Sequence, residues 1–353
     1  MKKATILLAI LLLSFSVFGQ EAALTQGEYV KMLYSLQKTP SVRQDIVDAL
    51  RKRGIAFVLT DGIRGLTKSK VGNDEELKRA LEEADRRRVN PTGAQVPLPK
   101  DAMAVLEQTR KNTLEAVGEM PDFVVKQQIQ RSWAFAGTNN FKSLDRLVVA
   151  VSYRSTGEED YRVLSTNGII NNDPKPKGSY EDVGGTSSTG EFVTMLATVF
   201  KPESDTTFEV VDTDVIRERR TIVYDFLVTK DKAKQVITSV GRVGSESTIA
   251  GMHGRLWVDR ESARVLRIES EATEIPDAFP VRSAKRVIDY DWVKITDGKF
   301  LLPLLSDVRL TSREGAQVVE TKNVIRFKEY QKYGSDVVIL DDDVKPEPEV
   351  KKP

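Results

Sequence analysis

The chain has 353 residues, a formal net charge of +1, 40% hydrophobic and 30% charged residues, one histidine and no cysteine. Such a length exceeds what one core usually organises, so two domains are expected, and the apolar content is that of an ordinary globular protein. The missing cysteine excludes disulfides, thiol nucleophiles, thiolate metal sites and an acylated lipoprotein cysteine, and the near-zero charge excludes whole-molecule attraction to nucleic acid or anionic lipid.

Lys2 and Lys3 precede an almost unbroken apolar run from Ala4 to Val17, and the polar Gln20-Glu21 follows Val17-Phe18-Gly19. A membrane-spanning helix takes about 20 apolar residues. The shorter run here fits the removable core of a secretory signal over residues 1–19, with an uncleaved anchor as the alternative. No comparable run follows, so the mature chain is expected to be soluble in the periplasm, or secreted.

Residues 25–88 read as a small helical bundle. Thr25 with Glu28, Ser41 with Gln44 and Asn73 with Glu76 each have capping-box spacing, in which a side-chain oxygen takes an orphan backbone N–H. Tyr29, Met32, Leu33 and Leu36 share one helical face. Val42, Ile46, Val47 and Leu50 share the next, which Gly54 ends as a left-handed cap. A short helix is expected from Asp61, and Leu77, Ala80, Leu81 and Ala84 mark a last one before Arg86-Arg87-Arg88. A bundle this small and polar is marginal alone. Residues 89–100, with Pro91, Pro97 and Pro99, read as an extended linker.

The remaining domain spans 101–333. Met103, Leu106, Leu114 and Val117 form a helical stripe that stops at Gly118 and Pro121. The period then changes from 3.6 to 2. Leu147, Val149, Val151 and Tyr153 alternate, as do Ile222, Tyr224, Phe226 and Val228, and Ile288, Tyr290 and Trp292. Turns are expected at Asn167-Gly168, Asp259–Ser262, Asp297-Gly298 and Glu314-Gly315. Short turns make the strands antiparallel, with one face wet. Residues 190–200 interrupt the series as a helix presenting Phe192, Met195, Leu196 and Val199, and this helix and the one at 101–117 are the available covers for the other face. The fold class is therefore α+β: a small N-terminal helical bundle followed by a curved antiparallel sheet, an incomplete barrel, covered by helices. The acidic, Lys-Pro-Glu-rich tail at 334–353 is expected to be disordered.

A long strand after Met120-Pro121-Asp122-Phe123, later hairpins, a helix inside the strand series and Gly254-Arg255-Leu256-Trp257-Val258-Asp259 with Arg264–Ile268 form one pattern. Over about residues 101–333 it resembles the outer-membrane lipoprotein-sorting (LolA/LolB-like) superfamily and its sensor relatives. The resemblance implies a bent, incomplete barrel closed by helices around an apolar cavity for acyl chains or lipidated segments. It transfers no functional residue. The helical segment resembles small modules attached to diverse bacterial proteins.

Trp133, Phe135, Phe192, Met195, Leu196, Phe226 and Trp257 are the ligand-cavity candidates, with Trp133 and Trp257 expected on the covered side because tryptophan is costly to expose. The same set serves equally as solid core. His253 has no second histidine or cysteine to work with, so no catalytic residue, metal or cofactor is expected. Gly184–Gly190 lacks the Gly-Lys-Ser/Thr ending of a phosphate loop and reads as a hinge. Asp212 with Asp214, and Asp289 with Asp291, read as solvated strand faces, and Arg217–Arg220 as an ion-paired turn or strand exterior.

Two functions follow. The first is a non-enzymatic binding protein that carries or senses a lipid, lipoprotein or other apolar ligand under the sheet. The second is a protein-interaction or sensor module with no small ligand. The expected partner is an apolar ligand or lipidated protein, with a membrane-associated protein as a candidate partner for the helical domain and no nucleic acid.

Overall fold

The computed structural model describes residues 22–334, apart from 37, 40, 41, 73, 93, 139, 172–185, 188, 189, 193, 242 and 243. The expected signal segment, the caps at Ser41 and Asn73, most of the Gly184–Gly190 run and the acidic tail lie outside the described residues. The chain divides into two compact units, Met1–Gln95 and Val96–Pro353.

Among its described residues the first unit holds four helices: α1 (Gln26–Ser35), α2 (Val42–Arg53), α3 (Asp61–Val71) and α4 (Glu75–Val89). Thr25 and Glu28 form the reciprocal capping box, Thr25 Oγ1 accepting from Glu28 N at 3.2 Å and Glu28 Oε2 accepting from Thr25 N at 2.8 Å. The hydrogen bond from the Thr25 backbone pulls the Glu28 carboxyl down to about 2. Gly54 adopts φ 68° after α2, where its N–H reaches Leu50 O at 3.1 Å. Asp74 caps α4, accepting from Leu77 N at 3.1 Å. Tyr29, Leu33, Ile46, Val47, Leu50, Leu77, Leu81 and Ala84 meet in one core, so each helix buries one stripe.

The second unit begins with α5 (Pro99–Gly118) and continues into an antiparallel sheet. Its strands are β1 (Phe123–Phe135), β2 (Lys142–Tyr153), β3 (Glu159–Thr166), β4 (Ile169–Ile170), β5 (Thr207–Ile216), β6 (Arg219–Val228), β7 (Gln235–Gly241), β8 (Gly244–Asp259), β9 (Val265–Thr273), β10 (Val281–Ile295), β11 (Gly298–Glu314) and β12 (Gln317–Lys332). The order is β4-β3-β2-β1-β12-β11-β10-β9-β8-β6-β5, with β7 on the first half of β8. Most neighbours are chain neighbours, as hairpins require. Helix α6 (Thr194–Phe200) belongs to the long connection that carries the chain from β4 at one edge to β5 at the other.

Turn chemistry sets these hairpins. Asn167 and Gly168 both take positive φ (51° and 80°), the geometry of a tight two-residue turn, and Arg217 and Glu218 do the same at 46° and 64°. Arg217 and Glu218 are thus the β5–β6 turn and Arg219 and Arg220 open β6, with Arg219 paired to Asp259 at 2.5 Å and Arg217 to Asp291 at 3.5 Å.

The sheet is large, curved and unclosed, with α5 and α6 on one face, here the inner face. Ala102 and Leu106 of α5 and Met195, Leu196, Val199 and Phe200 of α6 pack with Tyr224, Phe226, Leu256, Ile268 and Ile288 of the sheet. A second cluster gathers Phe123, Val125, Ile129, Leu147, Tyr153, Ile325 and Phe327 around Phe192. The stripe of α5 differs from the expected one. Met103 is exposed, and Ala102, Leu106, Thr109 and Thr113 form the buried line instead. That line keeps the i, i+4, i+7, i+11 spacing of one face, from which Met103 is displaced by one residue, about 100° of rotation.

Candidate functional site

Strand alternation and register assign each sheet residue to a face. On the inner face the rows across the sheet change character with distance from the helices. One row is Leu256, Ile268, Ile288, Ser306, Ile325, Ile129 and Leu147, fully buried and apolar except for Ser306. The next holds Gly254, Ser270, Arg286, Val308, Asn323, Arg131 and Asp145. Beyond it lie Ala284, Leu310, Thr321 and Trp133, none of them fully buried, and then Phe135, which is 45% exposed. The inner face thus passes from dry core through a polar row to a half-open apolar lane.

The polar row is mostly self-satisfied. Arg131 grips Asp145 through Nε at 2.6 Å and Nη2 at 2.5 Å, and Asn323 Nδ2 donates to Thr186 O at 2.7 Å. Arg286 differs: it is half-buried, and no hydrogen bond or ion pair engages it among the described residues. Its nearest influence is electrostatic, on Glu159 of β3 and Tyr290 of β10. β3 and β10 are separated by β2, β1, β12 and β11 in the sheet, so only curling brings Glu159 near Arg286.

Glu159 Oε2 accepts from Gly190 N at 3.0 Å and from the Tyr161 hydroxyl, while its Oε1 is buried and accepts nothing. Burial raises the Glu159 carboxyl above the usual carboxylate range, against the lowering by Tyr161 and Gly190, and the Glu191 charge adds to the rise. Burial likewise pushes Tyr161, Tyr290 and Tyr330 upward, so these phenols are neutral. Tyr330 donates to Pro303 O at 2.6 Å and Tyr290 to Glu191 O at 3.4 Å. Gln127, wholly buried between Val125 and Ile129 on β1, has neither amide atom bonded, and Ser306 Oγ is also unmatched.

The opposite face is a lattice of charges. Arg255 pairs with Asp225 at 2.6 Å, Arg267 with Glu269 at 2.9 Å and Asp289 at 3.1 Å, and Lys285 with Glu271 at 3.0 Å. His253 lies in this lattice, 3.7 Å from Glu271 and half exposed. Asp212 and Asp214, expected to be solvated, are instead buried at 5% and 4% exposure, and Trp257 donates Nε1–H to Asp214 at 3.0 Å.

The seven aromatic and aliphatic candidates therefore do not form one set. Phe192, Met195, Leu196 and Phe226 lie in the buried inner clusters. Trp133 and Phe135 share the inner face with Phe123 and Val125 but sit at its open end, edge to face with ring centroids 5.5 Å apart. Trp257 is on the opposite face with Ile216, Val223 and Leu266. Its neighbours Leu256 and Val258 take the inner positions, and a strand sends successive side chains to opposite faces. The sequence reading also passed over Arg286, Glu159, Gln127 and Arg131. Their signal was present as phase: Arg286 falls in step with Ile288 and Tyr290, Glu159 with Tyr161 and Val163, and Gln127 and Arg131 with Val125 and Ile129.

Among the described residues no group of three or more histidine, aspartate or glutamate side chains is placed to hold a metal ion, and no helix is long and apolar enough to cross a membrane. No family model matches the chain, and no curated protein matches it significantly. Among solved structures it is similar to a DUF1329 family protein from Desulfovibrio piger, at 11% identity and a TM-score of 0.26, covering 68% of this chain and 97% of that one. It is also similar to the MucA/MucB complex of Pseudomonas aeruginosa, at 8% identity and a TM-score of 0.17, covering 62% and 94%. A MucB complex with a periplasmic MucA segment gives 9% identity and a TM-score of 0.16, covering 62% and 92%. Likeness at this level bears on no residue of the site.

Proposed function

We propose that this chain is an exported, non-enzymatic binding protein whose second unit holds an acyl chain or another apolar ligand on the half-open inner face. The observation that carries this reading is the aromatic pair Trp133–Phe135. It continues the apolar phase of β1 past the helices into a lane where Leu310 and Ala284 are also incompletely covered. A half-exposed aromatic pair in line with a core is costly to leave wet. Each methylene buried there contributes about 0.8 kcal/mol.

The test is solvent extraction and mass spectrometry of the full-length protein purified from cells, with titration by the neutral probe N-phenyl-1-naphthylamine. Acyl species near one per chain and saturable probe binding are expected. Trp133→Ala should weaken the probe about tenfold, the equivalent of about 1.4 kcal/mol, while Trp257→Phe leaves affinity unchanged. Neither acyl species nor saturable binding would remove the carrier reading.

A second reading has its own observation. Val236 and Ile249 face each other across β7 and β8 at 60% and 47% exposure, and β7 pairs only with β8 among the described strands. A free edge beside exposed apolar side chains suits strand addition by a partner protein. It becomes the leading function if the inner face binds no apolar probe.

A further inference from the structure

We infer that the end of the sheet at which the apolar lane opens docks on a lipid bilayer, its hairpin tips entering the hydrocarbon boundary. This rests on the apolar-ligand reading above and adds the surface with which such a ligand is exchanged.

The two ends of the sheet differ in kind. Antiparallel pairing gathers the end of β1, the start of β2, the β3–β4 turn, the start of β12 and the β7–β8 pair at one end. Phe135, Leu144, Ile169, Val236, Ile249 and Val318 all lie there, each between 40% and 77% exposed. The connection 136–141 and the turn Asn167-Gly168 at this end have no charged residue, in a chain that is 30% charged. The turns at the other end, 217–218, 260–264 and 296–297, hold no large apolar residue. They carry Arg217, Glu218, Arg260, Glu261 and Asp297 instead. An exposed apolar rim confined to one end marks a surface that is covered in use.

Three features fit a bilayer as the cover. The apolar side chains stand on separate tips spread from β4 to β8 along the strand order, an arc that a fluid surface meets without matching its shape. Cations stand beside the aromatic rings of this end. Lys142 Nζ is 5.6 Å from the Trp133 ring centre, and Arg309 Cζ and Lys322 Nζ are each 5.7 Å from that of Phe141. Rings at headgroup depth with long basic side chains reaching for phosphate are the chemistry of a membrane interface. The lane through Leu310, Thr321 and Trp133 opens between these tips, so an acyl chain passes from hydrocarbon to lane with little exposure to water. A net charge of +1 gives no long-range attraction, so the apolar tips have to supply the binding.

The experiment uses the full-length protein purified from cells and large vesicles of phosphatidylcholine containing a quarter phosphatidylglycerol. Because the chain has no cysteine, Ile169→Cys and Glu261→Cys each take a single nitrobenzoxadiazole label, one at either end of the sheet. Vesicles should brighten and blue-shift the label of Ile169→Cys and leave that of Glu261→Cys unchanged. The double variant Leu144→Ser, Ile169→Ser should partition onto vesicles at least about tenfold more weakly, while still binding N-phenyl-1-naphthylamine in their absence. Equal responses at the two labels, or vesicle binding that the double variant retains, overturns the docking end. No vesicle binding with the probe still bound does the same and leaves the apolar-ligand reading intact. A dimer that the double variant dissolves would then make a second copy the occupant. Insertion at Ile169→Cys without probe binding upholds the docking end and removes the carrier reading.

Discussion

Trp257 shows how one atom decides a side chain's role. Its ring is 2% exposed, and its indole N–H ends on Asp214, itself 4% exposed. Buried hydrogen bonds to charged acceptors are among the stronger ones, and leaving an acceptor short costs more than the bond contributes. Trp257→Phe removes the donor along with part of the ring volume, so it should destabilise the second unit by about 1–3 kcal/mol. Thermal unfolding monitored at the sheet would show this; an unchanged midpoint would mean that Asp214 finds another donor at no cost. Trp133, half-buried with Lys142 5.6 Å from its ring centre, has no such anchor and should tolerate the same change with little loss.

Glycine positions differ sharply between the two kinds of element. At Gly254, within β8, a Cβ would stand 2.0 Å from Glu269 O and 2.9 Å from the Phe226 ring, so the neighbouring backbone and an aromatic both block it. The Phe226 side chain lies over this bare backbone on the adjacent strand, an arrangement that replaces the missing side chain with a borrowed one. Gly65, within α3, has nothing within 4 Å of such a Cβ. Gly254→Ala should therefore cost about 3 kcal/mol through overpacking. Gly65→Ala should stabilise the first unit by about 0.5–1 kcal/mol through helix propensity. Denaturant unfolding of both variants checks the pair, and loss of the contrast would put the β8–β9 register in doubt.

Over the whole molecule, two carboxyls, one in each unit, should answer acid in opposite directions. Glu28, drawn down to about 2 by the Thr25 backbone bond, supports the first unit above the ordinary carboxylate range, and that support is lost as pH falls toward 2. Glu159 is raised by burial, so its contribution is fully present below the ordinary carboxylate range and is lost as pH rises through its folded value. Glu159→Gln should accordingly raise the melting temperature of the second unit at pH 7, with the gain shrinking as pH is lowered toward 4. A melting temperature lower than that of the unmodified chain at pH 7 would show that the carboxylate is needed where burial disfavours it.

Local chemistry alone determined much of this protein. The capping box at Thr25, the left-handed Gly54, the turn at Asn167-Gly168 and the change of period after Gly118 each depend on residues within a few positions, so they were legible in one dimension. So was the α+β class, because hairpins and amphipathic helices leave few ways to cover a sheet. Which face each tryptophan takes was not: Trp133 and Trp257 are both large and apolar, and only register sends one to the open inner lane and the other over Asp214. The electrostatic influence of Arg286 on Glu159 lay further out of reach. They are 127 positions apart by their numbers (286 minus 159) and five steps apart in strand order, and proximity at that range comes from the cumulative twist and curl of every intervening strand. A charge in the apolar phase of a strand is visible in sequence; what surrounds it is a property of the folded sheet.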